Sequence, residues 1–531
     1  MYGVWSIIPP IVAIGLAIYT RKVLISLFIS IWVGGLIYVG GNPFAAIEIT
    51  FTWMKDVMVD PWNARFIVLT ALLGSGAAFM FKIGGSYAIT RSLEKHLNHR
   101  RKSQTFAWIL GIVVFFNDYV NSVIAGNASR DINAKYNVSR EKLAYIIDAT
   151  AAPMATIGPV SDWIGFQVSL IAAAFASIAL VESQAYFAFL RSIPWNFYSI
   201  LSLIAVPMII WGKDFGPMAK AELRAMKTGK LIGDDAVPLS AIEDDLGDPV
   251  NPEKANVWFF IVPLITLVGV GIWSLWYTGG GATGKPIMDA LADTDVSVAL
   301  TWAAFAMTLV GVLFGFKQGM DFSDIEDTML TGFKTMLPAL VIIVLAWSIG
   351  TVTDELGTAD YVVGLTEGWI TASILPFLVF GICMFIAFST GTSWGTMAIM
   401  TPIAIPLGYE IGGMALVYIA IGAVFSGAIF GDHCSPISDT TVMASIFSGS
   451  DHIDHVKTQI PYALIPAGIA GVLYLLSSII QISYVLLIIG IIAQYVIFKL
   501  IGSYYQKNNF SAEEIEALNN KEIHDFEQVD L

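Results

Sequence analysis

Residues 425–445 read FSGAIFGDHCSPISDTTVMAS. Apolar sequence leads into this stretch and apolar sequence follows it. Between them stand Asp432, His433, Ser435, Ser438, Asp439, Thr440 and Thr441, with Gly431 and Pro436 placed to interrupt a helix. Carboxylates and hydroxyls gathered at a helix break are the ligand set of a hard cation, and a carboxylate can also hold a proton. A second copy lies in the first half of the chain. Residues 158–163, GPVSDW, match residues 435–440, SPISDT, at Pro, a β-branched residue, Ser and Asp, so Ser161 and Asp162 are the counterparts of Ser438 and Asp439. The two Pro-X-Ser-Asp breaks read as two halves of one site.

The rest of the chain must place such breaks at membrane depth. Of its 531 residues 56% are hydrophobic and only 13% charged, and the mean hydropathy is +0.71. Soluble domains carry nearer a quarter of charged residues. Long apolar runs fall near 4–20, 23–40, 64–82, 105–116, 143–181 (broken), 193–211, 257–277, 296–316, 336–353, 372–388, 396–407, 413–430, 440–449, 461–480 and 483–502. Most approach the roughly 20 residues that a spanning helix needs, so the fold class is an all-α polytopic membrane protein. The first run lacks a basic start and continues into more apolar sequence, so no cleaved signal peptide is expected. Two cysteines, Cys383 and Cys434, imply no disulfide framework, and the net charge of −14 argues against a nucleic-acid partner.

Lys and Arg set the orientation. Residues 91–102 hold Arg91, Lys95, Arg100, Arg101 and Lys102, and residues 212–255 hold Lys213, Lys220, Arg224, Lys227 and Lys230, so both segments are expected in the cytoplasm. Lys499 and Lys507 put the C-terminus there too, whereas 354–371 has no Lys or Arg and is expected outside. The halves also align. KIGGSYAITRSLEKH from Lys82 resembles ELGTADYVVGLTEGW from Glu355, and FFNDYVNS from Phe115 falls opposite AFSTGTSW from Ala387. Matched loops of opposite charge bias predict two inverted-topology repeats, with the site at broken helices near the midplane. The expected division is 1–211 for the first repeat, 212–255 for a cytoplasmic linker loop, 256–480 for the second repeat, 481–502 for an extra transmembrane helix and 503–531 for a cytoplasmic tail. Residues 105–142 read as a re-entrant hairpin, because a full span would strand Arg130, Lys135, Arg140 and Lys142 outside. Residues 372–408 form its counterpart.

The hairpin tips add ligand candidates: Asn117, Asp118 and Asn121 in the first, and Ser389, Thr390, Thr392 and Ser393 in the second. With Asp148, Ser161, Asp162, Asp432, Ser435, Ser438, Asp439 and Thr440 they make the expected ion-binding set. Serine and threonine often only bond between helices, but intramembrane acids face cavities or pathways. Asp162 and Asp439 can also cap the half-helices that follow them, and Asp148 can pair with a basic partner. His433 is the candidate pH modulator, with a plain hydrogen-bonding role as its alternative. Residues Asp451, His452, Asp454 and His455 fit no zinc spacing and read as a solvated loop. No resident metal or other cofactor is expected.

The segments GDHCSPISDTT, FNDYVNSVIAG and SREKLAYIIDATAAPMATIGPVSDWIGF resemble the NhaC family of Na⁺/H⁺ antiporters. The resemblance implies paired hairpins and broken helices in a transport unit that moves against a scaffold. It implies Na⁺ and H⁺ as the transported ions, exchanged across a bacterial-type inner membrane, with the lipid bilayer as surroundings and a homodimer left open. Where that family carries Asp-Asp, this chain has Asn117-Asp118, one carboxylate fewer. The alternative is a sodium-coupled carrier of a small organic acid or amino acid. A nucleotide-driven pump has no Walker loop here, an intramembrane hydrolase has no HExxH, and repeated broken helices favour a carrier over a channel.

Overall fold

In the computed structural model, the described residues are 2–20, 23–93, 97, 99–115, 118–158, 161–236, 249–285, 290, 294–357, 361, 371–435 and 438–520. Among them the regular elements are all helices. Among the described residues seven helices are long and apolar enough to cross a membrane, or eight with the pair Leu24–Tyr38 and Pro43–Val59, which bends by 119°. The chain is therefore a multi-pass membrane protein. The helix Pro43–Val59 has no counterpart among the expected apolar runs, because Glu48, Lys55 and Asp56 break its hydropathy.

One group of helices packs around Pro61–Lys82. Val296–Gln318 and Phe322–Glu355 lie on it, Trp258–Thr278 lies on Val296–Gln318, and Phe322–Glu355 also touches Val23–Tyr38 and Pro43–Val59. Thr308 donates to the Leu72 carbonyl at 2.8 Å and Ser75 to that of Met329 at 2.9 Å, so these helices meet with little side chain between them.

The second group holds the motifs. Its first hairpin is Arg100–Val113 and Asp118–Lys135, followed by the broken helix Arg140–Asp148, Ala152–Ala155 and Asp162–Ser177. The second hairpin is Leu375–Thr390 and residues 393–412, turned at Gly391, whose φ of 70° suits a residue without Cβ. Residues 414–434 follow after a kink at Gly413, and beyond the break comes Asp439–Ser448. The order hairpin, break, half-helix thus occurs twice. Phe197–Trp211, His452–Leu476 and Ser483–Asn509 complete this group.

Two expectations change. Residues 212–255 are more than a loop: Gly216–Thr228 is a helix that carries buried charge. Glu222 pairs with Arg100, and Lys142 lies 2.7 Å from Asp214 and 3.3 Å from Glu222, all four side chains fully enclosed. Arg224 holds Glu141 at 2.9 Å beside them. The network ties the linker to both the first hairpin and the first broken helix. The last long helix also runs past 502 to Asn509, and Ala512–Asn520 then packs against the linker helix through Leu518, Leu223 and Met226.

Candidate functional site

The second break is organised by one carboxylate. Residues 414–434 pack so closely on Leu375–Thr390 that a Cβ on Gly431 would lie 2.5 Å from Ala387 Cβ. The end of that half-helix is thereby pressed against the hairpin tip, with Asp432 buried. Ser393, the first residue of the outgoing arm, donates to Asp432 Oδ2 at 2.9 Å, and Ser438 donates to Oδ1 at 2.7 Å. Thr440 Oγ1 stands 2.9 Å from Ser438 Oγ, and Ser435 bonds the Phe388 carbonyl at 2.8 Å. One acid and three hydroxyls thus meet between the tip and the break. Thr392 precedes Ser393 in extended conformation, and its carbonyl accepts from Thr396 at 3.0 Å.

The first break uses an amide instead. Asn121 Nδ2 donates to the carbonyls of Val114 at 3.1 Å and Thr150 at 3.0 Å, which joins the hairpin to the broken helix. Its Oδ1 is buried and meets no hydrogen-bond donor among the described residues. An oxygen held in place by its own amide group and left without a donor suits a cation. Asp118 is buried in the first turn of the outgoing arm, and Ser161 donates to the Ala155 carbonyl at 3.0 Å. Phe115 and Gly158 meet where this tip reaches the first break.

The two halves interlock crosswise. Asp439–Ser448 packs along Asp118–Lys135, with Phe447 beside Gly126 and Gly449 beside Arg130. The pairing runs in parallel, so the starts of these two helices lie side by side. Asp162–Ser177 packs in the same way on the helix from Ser393, where Trp163 and Trp394 touch with centroids 5.2 Å apart. Helix N-termini carry partial positive charge, which favours ionised carboxylates beside them. The side chains of Asn117, Asp162, Ser389, Thr390 and Asp439 lie outside the described residues.

Asp148 stands apart from the Asp432 cluster. Its Oδ2 accepts from Gln459 Nε2 at 2.8 Å, and His455 Nε2 is 3.9 Å away. Gln459 also donates to the His433 carbonyl and meets His455 Nε2 at 2.8 Å through its own oxygen. His433 is buried, with Nδ1 2.7 Å from the Tyr198 hydroxyl. Residues 451–455 do not form the expected solvated loop, because His455 is fully enclosed. The sequence reading leaves out Gln459 and places His455 in that loop. The available signal was the spacing of His452, His455 and Gln459, which puts the three on one helix face.

Between the two helix groups lies a cavity of about 320 Å³. Asp56, Asp60, Glu182 and Asp354 line it, with no basic residue among its described lining. Ala173 and Ala176 of the first half-helix form part of its wall. Among the described residues no three carboxylates, imidazoles or thiolates converge on a metal site.

The architecture is that of a membrane transporter. It is similar to the structure of Neisseria gonorrhoeae MtrF, described as one of a class of antimetabolite efflux pumps, with a TM-score of 0.51 over 81% of this chain and 83% of that one. At 15% identity the likeness speaks for the fold alone. The sequence is 32% identical over 485 residues to an uncharacterized protein of Haemophilus influenzae, covering 89% of this chain and 90% of that one. It is 31% identical over 191 residues to the malate-2H⁺/Na⁺-lactate antiporter of Bacillus subtilis, covering 33% of this chain and 36% of that one. Residues 154–479 match the Na⁺/H⁺ antiporter family. The chain belongs to that family, and membership implies Na⁺ and H⁺ as the transported ions.

Proposed function

We propose that the protein exchanges Na⁺ for H⁺ across the cytoplasmic membrane, with Asp432 as the carboxylate for which the two ions compete. The observation that carries this reading is the meeting of Ser393, Ser438 and Thr440 around Asp432. With a cation bound, the hydroxyls turn their lone pairs inward and the carboxylate supplies the charge that offsets lost hydration. With a proton bound, that charge is cancelled and the cation leaves. Asn121 Oδ1, Asp118 and, by their positions in the two repeats, Asn117, Ser161, Asp162, Ser389, Thr390, Thr392, Ser435 and Asp439 make up the remaining ligand set. The acid-lined cavity attracts cations and repels organic anions, which supports an inorganic cation as cargo.

The basic segments 91–102 and 212–236 lie on one side in this reading, with the C-terminus, and 354–357 on the other. The test is transport by the purified protein in liposomes. An inward Na⁺ gradient should drive protons out with no organic substrate present, read from a trapped pH dye. Proton movement that requires added malate, lactate or an amino acid would overturn the reading.

A further inference from the structure

The reading above leaves Asp148, His455 and Gln459 without a task, although all three are fully buried in the same helix group. Three buried polar side chains in one contact need a physical reason. Their hydrogen bonds also continue outward. His455 Nδ1 is 2.8 Å from Ser445 Oγ, and Ser445 Oγ is 3.1 Å from His452 Nδ1. His452 is half-buried in the first turn of its helix, beside Asp451, the cap residue. That end of the molecule holds the basic loops: Arg130 lies against Gly449, and Asp454 lies near Gly233 of the linker.

We propose that protons travel between the cytoplasm and Asp148 along His452, Ser445 and His455, by a route separate from the cation cluster at Asp432. The inference rests on the Na⁺/H⁺ reading above: Asp432 remains the acid for which Na⁺ and H⁺ compete, and Asp148 is the station at which the proton enters the helix group.

Gln459 fixes the direction of the relay. Its amide nitrogen faces two acceptors, Asp148 Oδ2 and the His433 carbonyl, so its oxygen must face His455. An amide oxygen only accepts, so His455 carries its resting proton on Nε2 and offers Nδ1 as the base. The Ser445 hydroxyl rests on the Thr441 carbonyl at 2.8 Å, so it must turn to hand its proton to Nδ1 as it takes one from His452. The proton on Nε2 then passes to Asp148 Oδ2, 3.9 Å away, after a shift of roughly 1 Å to reach hydrogen-bond length. The Nδ1 proton stays, and the ring must return its proton to Nε2 before the next cycle. One proton enters, one leaves, and the carboxylate becomes a carboxylic acid.

The surroundings keep the route distinct. The groups around His455 and Asp148 are Gln459 and His452 on the same helix as His455, Ser445, and at the second break His433, which in turn meets the Tyr198 hydroxyl and stacks on Tyr145. On the linker side, Asp214 and Glu222 are matched by Lys142 and Arg100, so they add no net charge. Gln459 donates both to Asp148 and to the carbonyl of His433, the residue that follows Asp432, so one side chain links the proton station to the end of the half-helix that carries the cation site.

The test compares two transport modes in liposomes. Na⁺-driven proton movement needs both ions, whereas exchange of labelled Na⁺ for unlabelled Na⁺ needs no proton. His455→Gln should slow the first at least tenfold and leave the second within twofold of the parent protein. Ser445→Ala, a smaller change, should slow the first and spare the second in the same way. Unchanged Na⁺-driven proton movement in both variants would overturn the route. So would equal loss of both modes in variants whose thermal stability in detergent is that of the parent, since His455 would then merely hold the site together. If His455→Gln fails to fold, Ser445→Ala decides alone. A parent protein that moves no protons against Na⁺ would refute the underlying exchange reading, and that result is seen before any variant is made.

Discussion

Asp432→Asn separates the charge of the site from its shape. The amide has nearly the same size, so the packing of Gly431 on Ala387 is kept. Two things are lost. First, Ser393 and Ser438 now donate to the two carboxylate oxygens, at 2.9 and 2.7 Å. The amide offers one oxygen and one nitrogen, so one hydroxyl must reverse from donor to acceptor and its proton must find another partner, at a cost of about 1 to 3 kcal/mol. Second, the cation loses its charged ligand. At a separation of about 4 Å and an effective dielectric near 20, that attraction is about 4 kcal/mol, roughly a thousandfold in affinity. The variant should therefore melt a few degrees lower and yet fold, while Na⁺-driven proton movement disappears. Stabilisation by Na⁺ in a thermal melt should vanish as well. Ser393→Ala, which removes one donor and one ligand, should weaken apparent Na⁺ affinity by about tenfold. An Asp432→Asn protein whose apparent Na⁺ affinity stays within about threefold of the parent would refute the argument, and Asp432 would be only a clamp between tip and break.

Lys142→Met removes the ammonium held between Asp214 and Glu222. It should cost about 3 to 5 kcal/mol, read as a large fall in the detergent melting temperature, and an unchanged melt would show that the network adds nothing. Cysteines placed at Arg91 and Glu355 should react with an impermeant maleimide from opposite sides of the membrane, as the opposite charge bias of the two segments requires, and the native Cys383 and Cys434 are buried. Reaction of both from one side would remove the inverted arrangement. Cysteines at Ala173 and Thr351 would both line the cavity between the helix groups, whose 320 Å³ as a sphere is about 8.5 Å across. A thiol cross-linker of about that span should stop exchange, and full activity in the cross-linked protein would rule out relative motion there.

The motifs were legible in sequence because their signals are local. Gly391 and Gly431 mark a tip and a break within a few residues of the hydroxyls they serve. The match of 158–163 to 435–440 needs no knowledge of contacts. What stayed hidden depends on residues far apart in the chain. Arg100 and Glu222 are 122 positions apart and each reads as a solvated charge on its own, yet together they are buried. His455 looked like part of a polar loop because Asp148, which lines its pocket, is supplied by the other half of the chain. Asn121 reads in sequence as a candidate ligand, but its amide nitrogen, which braces the first tip against Thr150, gives no trace in spacing. The helix Gly216–Thr228 was missed for the same reason as the ion network: its Glu222 and Arg224 look like surface charges until their partners are known.

The crosswise packing limits how such a protein can move. Asp439–Ser448 rests on the first hairpin and on Arg140–Asp148, while Asp162–Ser177 rests on the second hairpin. Neither repeat can shift alone without opening a contact made by the other. Those contacts are close: Trp394 sits 4.4 Å from the Phe166 ring centroid, and Gly126 leaves no room for a methyl group beside Phe447. Packed interfaces of this kind switch as units, since partial separation loses contacts before new ones form. The softer boundary is elsewhere. On the cavity wall the half-helix presents Ala172, Ala173 and Ala176 to Trp347 and Gly350 of the other helix group, with open volume between them. Small side chains beside open space resist sliding least. Motion that exposes the Asp432 cluster to one side and then the other should therefore carry both hairpins and both breaks together, past the helices packed around Pro61–Lys82.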